Sequence, residues 1–233
     1  MITPFPAPQR RRVNPLGWTL SLHTEKTAEE HEEGLAWVGW LFQGVRIRCE
    51  RMVFDGGSLD RAACLEAWGR FATECFLPSL APVVLNAWSS AAEGNDVELG
   101  NWDRQCSRLL APESVESSAA AGAILLSKTE GAKYQGALGR FRQCVARGEA
   151  PGHAATVWAA LAAMFQLPPA EVLMEYLRQE WLVSISHASY SGEPQGLLSF
   201  SGLTHRALHQ CGWAEPGVVA KVEQAPHRLR RES

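Results

Sequence analysis

The chain has 233 residues, enough for one large domain or two small ones. Hydrophobic residues make up 46% of it and charged residues 20%, which excludes wholesale disorder; the 20 glycines and 13 prolines are too scattered for a collagenous or low-complexity chain. No run approaches about 20 uninterrupted apolar residues, and a formal charge of -3 does not suit a dedicated nucleic-acid binder, so neither a membrane nor a nucleic-acid partner is expected.

Residues 1–16 carry four prolines and the run Arg10–Arg12, and read as an extended, mobile leader. They hold no apolar run of the kind a secretory signal needs. The basic run with no acid before Glu25 also suits an organelle transit peptide, but a cytoplasmic location is preferred. Six cysteines, Cys49, Cys64, Cys75, Cys106, Cys144 and Cys211, form no C-x-x-C pair and read as free thiols in a reducing compartment. Residues 17–225 are expected to form one domain, and 226–233 a basic tail.

Helical periodicity dominates between the tails. Leu35, Val38, Leu41, Phe42 and Val45 recur at three- and four-residue steps, as do Cys64, Trp68, Phe71, Ala72 and Cys75, with Pro78 expected to end that second helix. A short segment from Pro82 to Trp88 follows, then a polar helix over Val97–Ala111 that Pro112 should stop. Ser114–Leu126 is alanine-rich and a strong helix former.

In the second half, Val157, Trp158, Leu161, Met164 and Phe165 form one apolar stripe. Pro168 and Pro169 suit a helical first turn. From there Leu173, Tyr176, Leu177, Trp181, Ser184 and Ala188 share a face, until Gly192 and Pro194 break the pattern. The face predicts that Trp181 is buried. Leu197, Phe200, Thr204, Ala207, Leu208 and Cys211 suggest a last helix. Only Val45–Cys49 alternates as a strand would, and it also fits a helix end. The expected fold is all-α, a single compact helical bundle of about eight to ten helices.

The chain has no G-x-x-x-x-G-K-[ST] loop, no strand–G-x-G-x-x-G–helix and no G-x-S-x-G elbow. His205 and His209 stand four apart on the last predicted helix and could share a metal ion, completed by the same pair from a second copy across a two-fold axis. Alternatively they are surface histidines. The run Glu29, Glu30, His31, Glu32, Glu33 is either a loose divalent-ion site or a solvated first helical turn. His187 and Tyr190 either line a pocket or are simply packed. Nine tryptophans, among them Trp37 and Trp40 near helix ends, suit core packing and, for a few, protein contacts.

The order of these segments resembles the urease accessory protein UreF family. The likeness is carried by HAATVWAALAAMFQLPPAEVLMEYL, by EWLVSISHASYSGEPQGLLSF, by SGLTHRAL, and upstream by Glu33-Gly34-Leu35-Ala36-Trp37. It implies a non-catalytic chaperone that forms homodimers and docks other urease accessory proteins, including a nickel-carrying GTPase, onto apo-urease. Gly34, Leu35, Trp37, Trp40, Tyr190, Gly192 and Gln195 are then the candidate interaction residues. No tightly bound cofactor is expected, only transient nickel. A rival from another class is a small-molecule enzyme on a helical bundle, haem-oxygenase-like or thiaminase-like, using Glu74, Cys75, Tyr176, Glu180 and His187 around a pocket. A plain interaction scaffold is the third reading.

Overall fold

The computed structural model describes residues 60–110, 112–129, 136–185 and 192–213, together with the paired strands Arg11–Val13 and Thr19–Ser21, which run antiparallel. Apart from that ribbon, the described fold is all-α. The Leu35–Val45 helix and the Val45–Cys49 segment lie outside the described residues.

Helix α1 (Arg61–Arg70) is capped by Asp60, whose carboxylate accepts from the Ala63 N–H at 2.9 Å. It continues without a break through a π-helical stretch (Phe71–Leu80) into α2 (Ala81–Ala92). Pro78 therefore does not end the helix as its sequence position suggested. The wider turn, in which the Ala81 N–H reaches the Phe76 carbonyl, gives the ring room and carries the chain past the donor that proline lacks. Arg61–Ala92 is long and apolar enough to cross a bilayer, but most of its most apolar window is buried inside the bundle, as in a core helix.

Helix α3 (Asp96–Leu109) starts at Asn95, whose side chain accepts from the Glu98 N–H at 3.1 Å. Leu110 turns extended, and Pro112 opens α4 (Pro112–Lys128). Helix α5 (Gly136–Ala146) is not foreshadowed by the apolar periodicity. It buries Ala137, Leu138 and Phe141; exposed Arg140 pairs with Asp96 at 2.6 Å, and half-buried Arg142 donates to the Leu126 and Thr129 carbonyls at the end of α4.

Helix α6 (Ala154–Met164) is the axle of the bundle. Every residue from Ala154 to Ala163 is buried, so the expected stripe is a full circumference. Its alanines let α2 and α4, its main neighbours, approach closely. Helix α7 (Pro169–Ser184) opens on Pro169 and buries Leu173, Tyr176, Leu177 and Trp181; Trp181 is 1% exposed, as its helical position predicted. A 3₁₀ turn (Gly196–Leu198) leads into α8 (Phe200–Gln210), capped by Ser199 through the Gly202 N–H at 3.1 Å. The Trp68 ring packs edge-on against Trp181 (5.3 Å) and Phe200 (5.8 Å), tying α1, α7 and α8 into one core.

Candidate interaction surface

The two buried tryptophans that tie the helices together also hold a surface loop. An indole N–H taken out of water needs an acceptor. Trp181 Nε1 donates to the Gly192 carbonyl at 3.1 Å, and Trp68 Nε1 to the Leu198 carbonyl at 2.8 Å. Residues 192–198 are thus pinned to the core at both ends. Between the pins Pro194 is buried, whereas Gln195 stands in solvent with its amide 3.3 Å from the Glu193 carbonyl. Gly196 takes φ +64°, a left-handed conformation that suits glycine, and the Ser199 N–H closes the turn on its carbonyl at 3.1 Å. Leu197, which the apolar spacing assigned to the last helix, instead lies in the turn before it and is 76% exposed.

Gly192 and Gln195 of the expected interaction set thus share one loop. Gly34, Leu35, Trp37, Trp40 and Tyr190 lie outside the described residues, as do His187 and the Glu29–Glu33 run. His205 and His209 are both exposed on α8. Among the described residues no group of three His, Cys, Asp or Glu side chains gathers as a metal site.

The set proposed for a bundle enzyme divides. Cys75, Tyr176 and Glu180 are buried, but Glu74 faces solvent. Cys106 joins the buried group: burial pushes its thiol up strongly, and the charges of Asp103, Cys75 and Glu180 push it further. A thiol so held is protonated at neutral pH and a poor nucleophile.

A second polar constellation was not among the candidates that the sequence suggested. Asp103, fully buried in the middle of α3, accepts from the backbone N–H groups of Gly152 (2.6 Å) and His153 (2.8 Å) and from the Thr156 hydroxyl. Ser107, one turn on, shares a 2.7 Å hydrogen bond with His153 Nε2. Serine, histidine and aspartate are together here, but the carboxylate bonds the histidine's backbone and not its ring. His153 Nδ1 is buried with no partner among the described residues. The imidazole therefore lacks the acid that would orient it as a base, and burial lowers its pKa against the raising pull of Asp103. The carboxylate serves the amino end of α6, where N–H groups lack helical acceptors. The signal was present in the sequence as a lone acid at helical spacing from Leu99 and Cys106.

The class is then set by architecture: an all-α bundle, built round an alanine-rich axle, with a tryptophan-pinned loop at its surface. The UreF family model matches residues 59–189, from the cap of α1 to beyond the end of α7, and the chain belongs to the UreF family. A urease accessory role follows from that membership. The match includes the alanine-rich and long helices that carried the resemblance, and excludes the upstream Glu33–Trp37 element and the pinned loop. No curated protein and no solved structure matches the chain.

Proposed function

We propose that the chain is a non-catalytic, cytoplasmic assembly factor for urease, docking other accessory proteins, a nickel-carrying GTPase among them, for nickel insertion into the apo-enzyme. The observation that carries this reading is the family match, which spans the whole of α1 to α7. The pinned loop supports it, because a rigid projecting loop gives a partner a preformed surface. So does the chemistry of the buried groups: Asp103 is taken up by three donors, and Cys106 is held as a thiol. In this reading the chain self-associates as a homodimer and meets nickel only in transit.

The test is affinity purification of the tagged full chain from its native host, with mass spectrometry of the co-purifying proteins, alongside urease activity in cells with and without the chain. Urease subunits and accessory proteins in the eluate, with urease activity lost in its absence, are the expected result. A urease-independent set of metabolic enzymes, with urease activity unchanged, overturns it. Sedimentation of the purified chain at high micromolar concentration checks the dimer; a strict monomer removes that element.

A further inference from the structure

Leu197 is the most exposed of the large apolar side chains among the described residues, and its backbone is firmly placed. The Leu198 carbonyl beside it is held by Trp68, its own carbonyl accepts from Arg206 Nη2 at 3.3 Å, and the turn is closed from Ser199 to Gly196. The loop lies directly on α8: a Cβ at Gly202 would meet the Gly196 carbonyl oxygen at 3.0 Å and that of Leu197 at 3.1 Å. Beside this knob stands a cation with unused capacity. Arg206 is half-buried, leaving part of its guanidinium in solvent, and no ion pair of Arg206 is formed among the described residues. Helix α8 itself, FSGLTHRALHQ, contains no acid. The loop's acid, Glu193, acts on Arg178 of α7 instead.

We propose that Leu197 and Arg206 form a two-part docking element, an apolar knob beside a carboxylate receptor, which fits a partner protein presenting an apolar pocket rimmed by an Asp or Glu side chain. The inference rests on the accessory-protein reading and names the surface through which that docking occurs. Three physical arguments favour this occupant. A knob already fixed by hydrogen bonds loses little conformational freedom when it is bound. A guanidinium that is part exposed and has no ion pair of its own gains from a charged acceptor, and carboxylates meet its planar fork well. A surface helix bearing His205, Arg206 and His209 and no acid is complementary to an acidic rim rather than a basic one.

The experiment compares the full chain with Leu197→Ala, Arg206→Gln and Arg206→Lys, and with Val97→Ala, an equally exposed apolar residue on α3. Binding to each purified urease accessory protein of the host is measured by interferometry at low and high salt, and thermal unfolding confirms each fold. Leu197→Ala and Arg206→Gln should each weaken binding about tenfold or more. Arg206→Gln should also flatten the salt dependence, Arg206→Lys should recover part of the loss, and Val97→Ala should change nothing. If a partner binds and both variants hold it as tightly as wild type, the docking element is overturned and the accessory reading stands. If wild type binds none of them, the accessory reading fails and this inference with it. Should the variants lose only self-association in sedimentation, the occupant is a second copy and the proposal is wrong. If an Arg206 variant unfolds, Leu197→Asp, a surface change that empties no core, decides by the same criterion.

Discussion

Asp103 reaches across the bundle to the backbone N–H of His153 at 2.8 Å, so a carboxylate on α3 completes the amino end of α6, fifty residues later in the chain. The same carboxylate takes Gly152 N–H and the Thr156 hydroxyl. Removing this buried side chain strands the Gly152 and His153 N–H groups, while the Thr156 hydroxyl can still donate to the His153 carbonyl at 2.9 Å. Asp103→Ala should lower stability by about 3–5 kcal/mol, from unsatisfied donors worth roughly 1–3 kcal/mol each with partial relaxation. Urea unfolding measures this. A loss below about 1 kcal/mol would mean that solvent reaches the site and replaces the carboxylate.

The pH dependence of stability is governed in part by His153. Burial lowers its pKa below the ordinary value of 6.5 while Asp103 pulls the other way. Because the folded state disfavours the imidazolium, the unfolded chain binds more protons as pH drops. The contribution is fully present above the unfolded value near 6.5 and is lost as pH falls from there through the folded pKa. Unfolding midpoints of wild type should decline over that interval more steeply than those of His153→Gln, which cannot titrate. Parallel slopes for the two proteins would assign the acid sensitivity to other groups.

Much of the bundle was legible because side-chain pattern and helix type agree. The density of apolar residues over Val157–Phe165 and the helical face from Leu173 through Trp181 leave little room for another structure. What was hidden depended on contacts between distant segments. Pro78 reads locally as a stop, and only the core packing of Phe76, Leu77 and Leu80 around it holds the helix together as a π turn. Gly136–Ala146 mixes glycine and arginine and shows its apolar side only once α3 and α4 accept Arg140 and Arg142. Leu197 fits the apolar spacing of α8, yet the left-handed Gly196 just before it turns the side chain outward. Of the candidate loop, the break at Gly192 and Pro194 was legible as the end of the helical pattern, and Gly192 and Gln195 lie together there. The tryptophan pins that make it rigid were not, since nothing local in the sequence links Trp68 to Leu198.

The carboxyl end of α6 offers a stabilising change. Gln166 adopts φ 58°, and the Leu167 N–H bonds back to the Ala162 carbonyl at 2.9 Å, so the helix closes through a left-handed residue that is not glycine. The Gln166 amide nitrogen is also buried with no partner among the described residues. Gln166→Gly removes both costs and should raise stability by about 1 kcal/mol, since a side chain in that region costs roughly 1–2 kcal/mol and glycine's extra unfolded-state freedom offsets part of the gain. Thermal unfolding decides, and a lower melting temperature would show that the Gln166 stem contributes more by packing than its conformation costs.

The loop at 192–198 should answer to its tryptophan pins separately from the core. Trp181→Phe keeps an aromatic ring beside Trp68 but removes the N–H that holds Gly192. It should cost about 2–3 kcal/mol, less than the roughly 3–5 kcal/mol expected for Trp181→Ala, because part of the volume stays filled. Its distinctive effect should be local. With one pin gone, the Gly196–Leu197 bond, already at the surface, becomes easier for a protease to draw into its cleft. Thermolysin, which cuts before leucine, should cleave there several-fold faster in Trp181→Phe than in a variant of matched stability altered elsewhere, such as Leu99→Ala on α3. Trp68→Phe should do the same by releasing Leu198 at the other end. Equal cleavage rates in the matched pair would mean that the loop is held by α8 and its own turn, with the indoles adding only packing.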